Sequence, residues 1–203
     1  MPYHVVGYTY TWWRGDALPG LSPLPDFRAG PAPDTQLLAQ LQQLDVPKME
    51  ARIATGNHPY VAFLGALPAA YGWCATQRFG IQAVNVEWAL RPGERGLWDF
   101  ATLPAWRGQG IYPRLLQAIL TAELPEAARF WISHRGDNDA SRQGILKAGF
   151  QLVGMTALAA DGRPKTILRG SRERALLNPM GENTELIEAE DADLVPADFP
   201  LPD

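Results

Sequence analysis

The residues best placed to do chemistry lie in one short stretch, Arg107-Gly108-Gln109-Gly110-Ile111-Tyr112-Pro113. It follows an apolar run and opens an amphipathic one. Glycines in such a turn let the main chain approach a ligand closely. A helix beginning just after them leaves its first N–H groups without intrahelical partners, and its macrodipole adds partial positive charge there. Pro113 lacks an N–H that would be unpaired in any case. The ligand suited to such a device is a phosphate or pyrophosphate. Two dinucleotide patterns are excluded. No Lys stands near the glycines, as a P-loop requires, and the third glycine of G-x-G-x-x-G is missing after Gly108-Gln109-Gly110.

These residues need a strand before them and a helix behind them. The run Leu97 to Leu103 reads as a buried strand, with a turn over Pro104 to Trp106. A helix from about Tyr112 carries Leu115, Leu116, Ile119 and Leu120 on one face. Alternation over Tyr3 to Trp13 predicts a strand. Residues 15–34, with five Pro and three Gly, predict a long loop. Helices are expected over Thr35 to Leu44, capped by Asp34, and over Pro47 to Ala54. Tyr60 to Leu64, Ala70 to Thr76, Val84 to Leu90 and Arg129 to His134 read as strands. Asn138 to Ala148 reads as an Asn-capped helix closed by Gly149. Phe150 to Ala159 and Thr166 to Arg169 form a hairpin turning at Asp161-Gly162.

Two segments resemble the GNAT superfamily of N-acetyltransferases. Thr102-Leu103-Pro104-Ala105-Trp106-Arg107-Gly108-Gln109-Gly110-Ile111 is similar to its acetyl-CoA signature, V-x-P-x-[YW]-R-G-x-G-[ILV], although Tyr112 stands where the core pattern has Gly or Ala. Asn138 to Phe150 resembles its second motif, N-x-x-[AS]-x-x-x-[Y]-x-K-x-G-F, with Ile145 at the Tyr position. The resemblance is specific from about Tyr60 to Val153. It implies an α/β (α+β) GNAT-type acyl-CoA N-acyltransferase fold, a mixed twisted sheet flanked by helices. The central parallel strands would splay to admit the pantetheine arm. Residues 1–178 would form one domain and 179–203 an irregular tail.

By the same resemblance, acetyl-CoA is the cosubstrate. Phe100, Ala101 and Thr102 would meet the pantetheine and the thioester. Arg107, Gly108, Gln109, Gly110, Ile111, Tyr112 and Pro113 would wrap the pyrophosphate, and Asn138 would contact the CoA arm. The expected reaction is direct acetyl transfer to a primary amine of a small molecule. The alternative is a non-catalytic acyl-CoA-binding module. An amine with a pKa of about 10 must lose a proton before it attacks, and a carboxylate is the usual helper. Asp99, three residues before Thr102, and Glu87, on the strand expected beside it, are the candidate bases. Strict alternation would put Asp99 and Ala101 on one face and Trp98, Phe100 and Thr102 on the other. An N–H near Ala101 or Thr102 would meet the oxyanion. The family's Tyr protonates the leaving thiolate. With Ile145 in its place, Ser141, Tyr112 or a water is left for that role.

Composition agrees with a protein of this kind. The chain has 203 residues, 46% hydrophobic and 20% charged, as in ordinary globular domains. The net charge of −4 is uneven: eight acids and no base lie from Glu182 onward, so the rest carries 14 acids against 18 bases. A mildly basic body suits a ligand with several phosphates. The bases are scattered, with no stripe for nucleic acid. Cys74 is alone in an apolar run, so a disulfide framework is excluded and a cytoplasmic setting expected. The residues show no signal-peptide pattern and no apolar run long enough to span a bilayer, so neither a leader nor a membrane helix is expected. His4, His58 and His134 show no ligand spacing, so no metal is expected. A homodimer is compatible with all of this.

Overall fold

The computed structural model describes residues 2–81, 86–179 and 185–196. The strands are β1 (Pro2–Trp13), β2 (Phe27–Pro31), β3 (Asn57–Leu64), β4 (Leu67–Ala75), β5 (Arg78–Ile81), β6 (Val86–Ala89), β7 (Glu94–Thr102), β8 (Arg129–Arg135), β9 (Gln151–Leu158), β10 (Pro164–Leu168), β11 (Leu186–Ile187) and β12 (Asp193–Pro196). The helices are α1 (Thr35–Gln42), α2 (Val46–Ala54), α3 (Ile111–Glu123), α4 (Asp139–Lys147) and α5 (Arg172–Leu176). The main sheet runs β11-β10-β9-β1-β8-β7-β4-β3-β2, with β12 pairing β1. It is mixed: β7 and β8 are parallel, whereas β8-β1, β1-β9 and β4-β7 are antiparallel.

Side-chain alternation gives the sheet two apolar faces. Tyr60 and Ala62 of β3 join Leu97, Phe130 and Ile132 against Leu115, Leu116, Ile119 and Leu120 of α3 and Ile145 of α4. Val61 and Phe63, one residue out of phase, meet Leu38 of α1 and Met49 of α2 with Trp73. The helices α3 and α4 therefore cover one face, and α1 and α2 the other. Asp34 and Asp45 cap α1 and α2 by accepting from the N–H of Leu37 and Lys48. Asn138 caps α4 in the same way, accepting from Ser141 N–H at 3.0 Å.

Three expectations are corrected. The stretch 15–34 is not all loop, because residues 27–31 form β2 on the edge of β3. Val86–Ala89 does not lie beside the central strand. It pairs with β5 in a separate two-stranded sheet, and residues 82–85 of that expected strand lie outside the described residues. The tail is not wholly irregular: β11 runs parallel to β10 and β12 parallel to β1. Leu194 and Ile187 pack with Met155, Ala157 and Ile167, and that apolar contact outweighs the acidic composition. Residues 180–184 and 197–203 of the tail lie outside the described residues.

A buried polar network joins the far end of α3 to the sheet. Glu123 accepts from Arg95 Nε, His58 Nδ1 and Tyr60 Oη, each at 2.7 Å. Burial opposes its charge, but these three hydrogen bonds win and hold its carboxyl below the ordinary range.

Candidate functional site

The site forms where β7 and β8 part. Their register runs from Glu94↔Arg129 to Leu97↔Ile132 and then stops, although β7 continues to Thr102 and β8 to Arg135. Beyond Leu97, the edge of β7 that faces β8 has no strand partner among the described residues. A gap therefore opens in the middle of the sheet, lined by main-chain groups on its β7 side.

Within the gap β7 carries a bulge. Tyr71 pairs with Ala101 and Trp73 with Trp98, so Asp99 and Phe100 together oppose Gly72 alone. Asp99 absorbs the extra residue with φ of 50°. The expected alternation is therefore broken. Phe100 turns to the α3 face, its ring centre 5.4 Å from that of Tyr112. Asp99 and its neighbour Trp98 both turn to the α2 face, where Arg52 lies. Gly72 is required here: a Cβ would stand 2.0 Å from the Phe100 ring.

On the α3 face, the glycine loop ends in an N-cap with no side-chain cap. Gly108 and Gly110 have φ of 78° and 70°, the left-handed region that other residues avoid. Among the described residues, no protein acceptor is found for the N–H groups of Gly108, Gln109, Gly110, Ile111 and Tyr112. A Cβ on Gly108 would meet nothing within 4 Å, so space remains above the loop. Arg107 donates to Thr102 O at 3.2 Å and remains exposed. These amides, the open space and the nearby guanidinium fit a pyrophosphate. Arg114 reaches back to the carbonyls of Gly110 and Ser22, and Gln117 donates to Pro19 O, so the loop 15–26 is fastened along α3.

Between α3 and α4, Tyr112 Oη lies 3.4 Å from Ser141 Oγ. Burial pushes the Tyr112 phenol well above its ordinary pKa, and the contact with Ser141 offsets this only in part. Ile145 is fully buried at 0% exposure and packs in the core beneath. The N-cap bond commits Asn138 Oδ1. On the β8 side, His134 lies between Tyr8 and Tyr10, each ring 5.4 Å away. Its Nδ1 lies 2.6 Å from Arg135 O, which can only accept, so Nδ1 carries the proton and Nε2 accepts from Tyr10 Oη at 3.1 Å. Burial lowers the pKa of His134, in keeping with this neutral form. Sequence reasoning passed over this pair, because Tyr10 and His134 are brought together only by the pairing of β1 with β8. Ser133 points the other way, to Thr9, as alternation requires.

On the α2 face, Asp99 Oδ2 is 2.6 Å from Arg52 Nη1. The guanidinium also bonds Gln42 Oε1 at 2.8 Å and stands over the rings of Trp73 and Trp98. Arg52 carried no sequence motif; only its distance to Asp99 marks it. Glu87 is elsewhere, in an exposed ion pair with Arg78 on the separate β5-β6 sheet. The structure thus brings Asp99, Phe100, Tyr112, Ser141 and the glycine loop around one gap and leaves Glu87 on a separate sheet. Among the described residues no group of three His, Cys, Asp or Glu could hold a metal.

No protein-family model matches the sequence, and neither does any curated protein. Solved structures do match. A GNAT-family acetyltransferase from Colwellia psychrerythraea aligns at 16% identity with a TM-score of 0.51, over 74% of this chain and 53% of that one. A functionally unknown conserved protein from Staphylococcus epidermidis aligns at 15% identity with a TM-score of 0.50, over 74% of this chain and 59% of that one. This chain thus spans little more than half the length of either. At these identities the likeness is one of fold, and the fold is that of the GNAT acyl-CoA N-acyltransferases.

Proposed function

We propose that this chain moves the acetyl group of acetyl-CoA directly onto a primary amine of a small molecule. The observation that carries the reading is the parting of β7 and β8 after Leu97↔Ile132, next to a glycine loop whose amides have no protein acceptor among the described residues. Acetyl-CoA supplies a thioester as acyl donor. Gly108 to Tyr112 would hold its pyrophosphate by main-chain N–H groups and Arg107 by charge. The unpaired edge of β7 near Ala101 and Thr102 would align the arm and meet the oxyanion.

Asp99 is the candidate to receive the amine and its proton. Its Oδ2 is held by Arg52, which leaves Oδ1 directed by a fixed carboxylate. Glu87 remains a weaker candidate, since its partner Arg78 and its separate sheet keep it off the central strand. The Tyr112–Ser141 hydroxyl pair is the candidate to return a proton to the departing thiolate; burial keeps the phenol neutral and also makes it a weaker acid than a free tyrosine. A small acceptor is supported by the half-buried rings of Tyr71 and Trp98 near Asp99 and Arg52. A lone buried thiol suits a cytoplasmic setting.

Ile145 favours a second reading, a module that binds acyl-CoA without turnover. Calorimetric titration with acetyl-CoA, followed by a thiol-release assay over a panel of amines, separates the two. Binding with release supports transfer. Binding without release against any amine supports the module, and no binding overturns both.

A further inference from the structure

Arg52 is fixed more firmly than a surface ion pair requires. Two acceptors take its Nη1, Asp99 Oδ2 at 2.6 Å and Gln42 Oε1 at 2.8 Å. Two indole rings flank its guanidinium, with centres 5.2 Å and 4.8 Å away. Gln42 Oε1 also accepts from Trp73 Nε1 at 3.3 Å, which fixes the orientation of the amide. The fork is therefore held in one place, while Nη2 and Nε donate to no acceptor found among the described residues. Beside it, Gln42 Nε2 is buried without a hydrogen-bond partner. Two donors on one edge of the guanidinium are thus left open while the other side is held in place. Arg52 is 25% exposed and Asp99 33%, so a small molecule can reach the pair.

The place matters as much as the charge. Asp99 sits in the bulge of β7, at the gap, on the face opposite the glycine loop. A donor held by that loop reaches the gap from the α3 face, and an acceptor reaches it from the α2 face. There it meets a carboxylate and a planar cation side by side. A guanidinium with two free N–H directions binds a carboxylate in bidentate fashion, and Asp99 attracts an amine.

We infer that the acceptor carries a carboxylate close to its reactive amine, as an amino acid does, and that Arg52 binds this carboxylate while Asp99 receives the amine. This rests on the acetyltransferase reading above. Neither group alone would select such a molecule: a simple amine satisfies Asp99 only, and a simple acid satisfies Arg52 only.

The test uses the full chain with acetyl-CoA and the standard amino acids, each paired with its decarboxylated amine and its aminophosphonate analogue. For the wild type, kcat/KM should favour the carboxylate member of at least one pair by about tenfold or more, through KM. Arg52→Gln should erase that preference while acetyl-CoA affinity, read by calorimetry, is unchanged. Arg52→Lys keeps the charge and a bond to Asp99 but loses the planar fork, so it should retain only part of the preference. Equal KM within every pair, a stronger preference for the phosphonate, or a preference that survives Arg52→Gln overturns the inference alone. So does acetyl-CoA binding with no carboxylate-bearing amine accepted. Failure to bind acetyl-CoA overturns the acetyltransferase reading instead.

Discussion

Asp99 and Arg52 are 47 residues apart in sequence, and their side chains meet at 2.6 Å across the face of the sheet. The pair exists because the β7 bulge turns Asp99 toward α2, with φ of 50°. Asp99→Asn keeps the shape and removes the proton acceptor. It should lower kcat by about 10²-fold and leave acetyl-CoA affinity nearly unchanged. The loss should shrink as pH rises and more of the amine is already neutral. A variant with wild-type kcat at pH 7 would remove Asp99 from the mechanism.

Gly110 is the N-cap of α3 at φ of 70°, and a Cβ there would stand 2.6 Å from Arg114 Nη1. Gly110→Val strains the loop and pushes Arg114 from its bond to the Gly110 carbonyl. Acetyl-CoA affinity, measured by calorimetry, should fall about tenfold or more. Unchanged affinity would move the pyrophosphate elsewhere.

Gly72→Ala probes the bulge from the opposite strand. The new methyl would overlap the Phe100 ring, so Phe100 must swing into the gap or toward Tyr112. We expect a stability loss of about 1–3 kcal/mol, the usual cost of overpacking, together with weaker acetyl-CoA binding. Chemical denaturation reads the first and titration the second.

Glu123 ties stability to pH. Its folded pKa lies below its ordinary value of 4.5, so its stabilisation is complete above that value. It is lost as pH falls below 4.5 and through the depressed folded value. Asp16, held by Arg174 at 2.6 Å and 2.7 Å, acts in the same direction against its own burial. Glu123→Ala takes from the buried Arg95 its closest carboxylate, leaving it Glu94 O at 3.1 Å and Glu126 at 3.4 Å, and should cost about 3 kcal/mol by denaturant melts near neutral pH. The acid-side slope of stability should flatten in that variant.

Ending the chain at Asn178 removes β11 and β12 and uncovers Met155, Ala157 and Ile167. The shortened protein should melt at a lower temperature yet bind acetyl-CoA with unchanged affinity, since the tail supplies no base. A well-folded truncation with lost affinity would assign the tail a part in the site.

Local patterns carried much of this protein. The caps at Asp34 and Asn138, the apolar stripe of α3 and the two glycines before it are decided within a few residues of themselves, by backbone hydrogen bonding and side-chain period. They were legible because those forces act over one turn of chain. What only the tertiary structure decided is long-range. The N-terminal strand lies between β8 and β9, which brings Tyr10 to His134. The tail lends strands to the sheet, and Val86–Ala89 leaves the central strand for β5. Sheet pairing joins edges distant in sequence, and the alternation of one strand does not name its partner. The bulge is the sharpest case. Nothing in Leu97 to Leu103 announces an extra residue, because a bulge arises from the mismatch of two strands, here with Gly72 leaving room for Phe100. That mismatch sent Asp99 to Arg52 and Phe100 to Tyr112, and so decided which face of the gap each one serves.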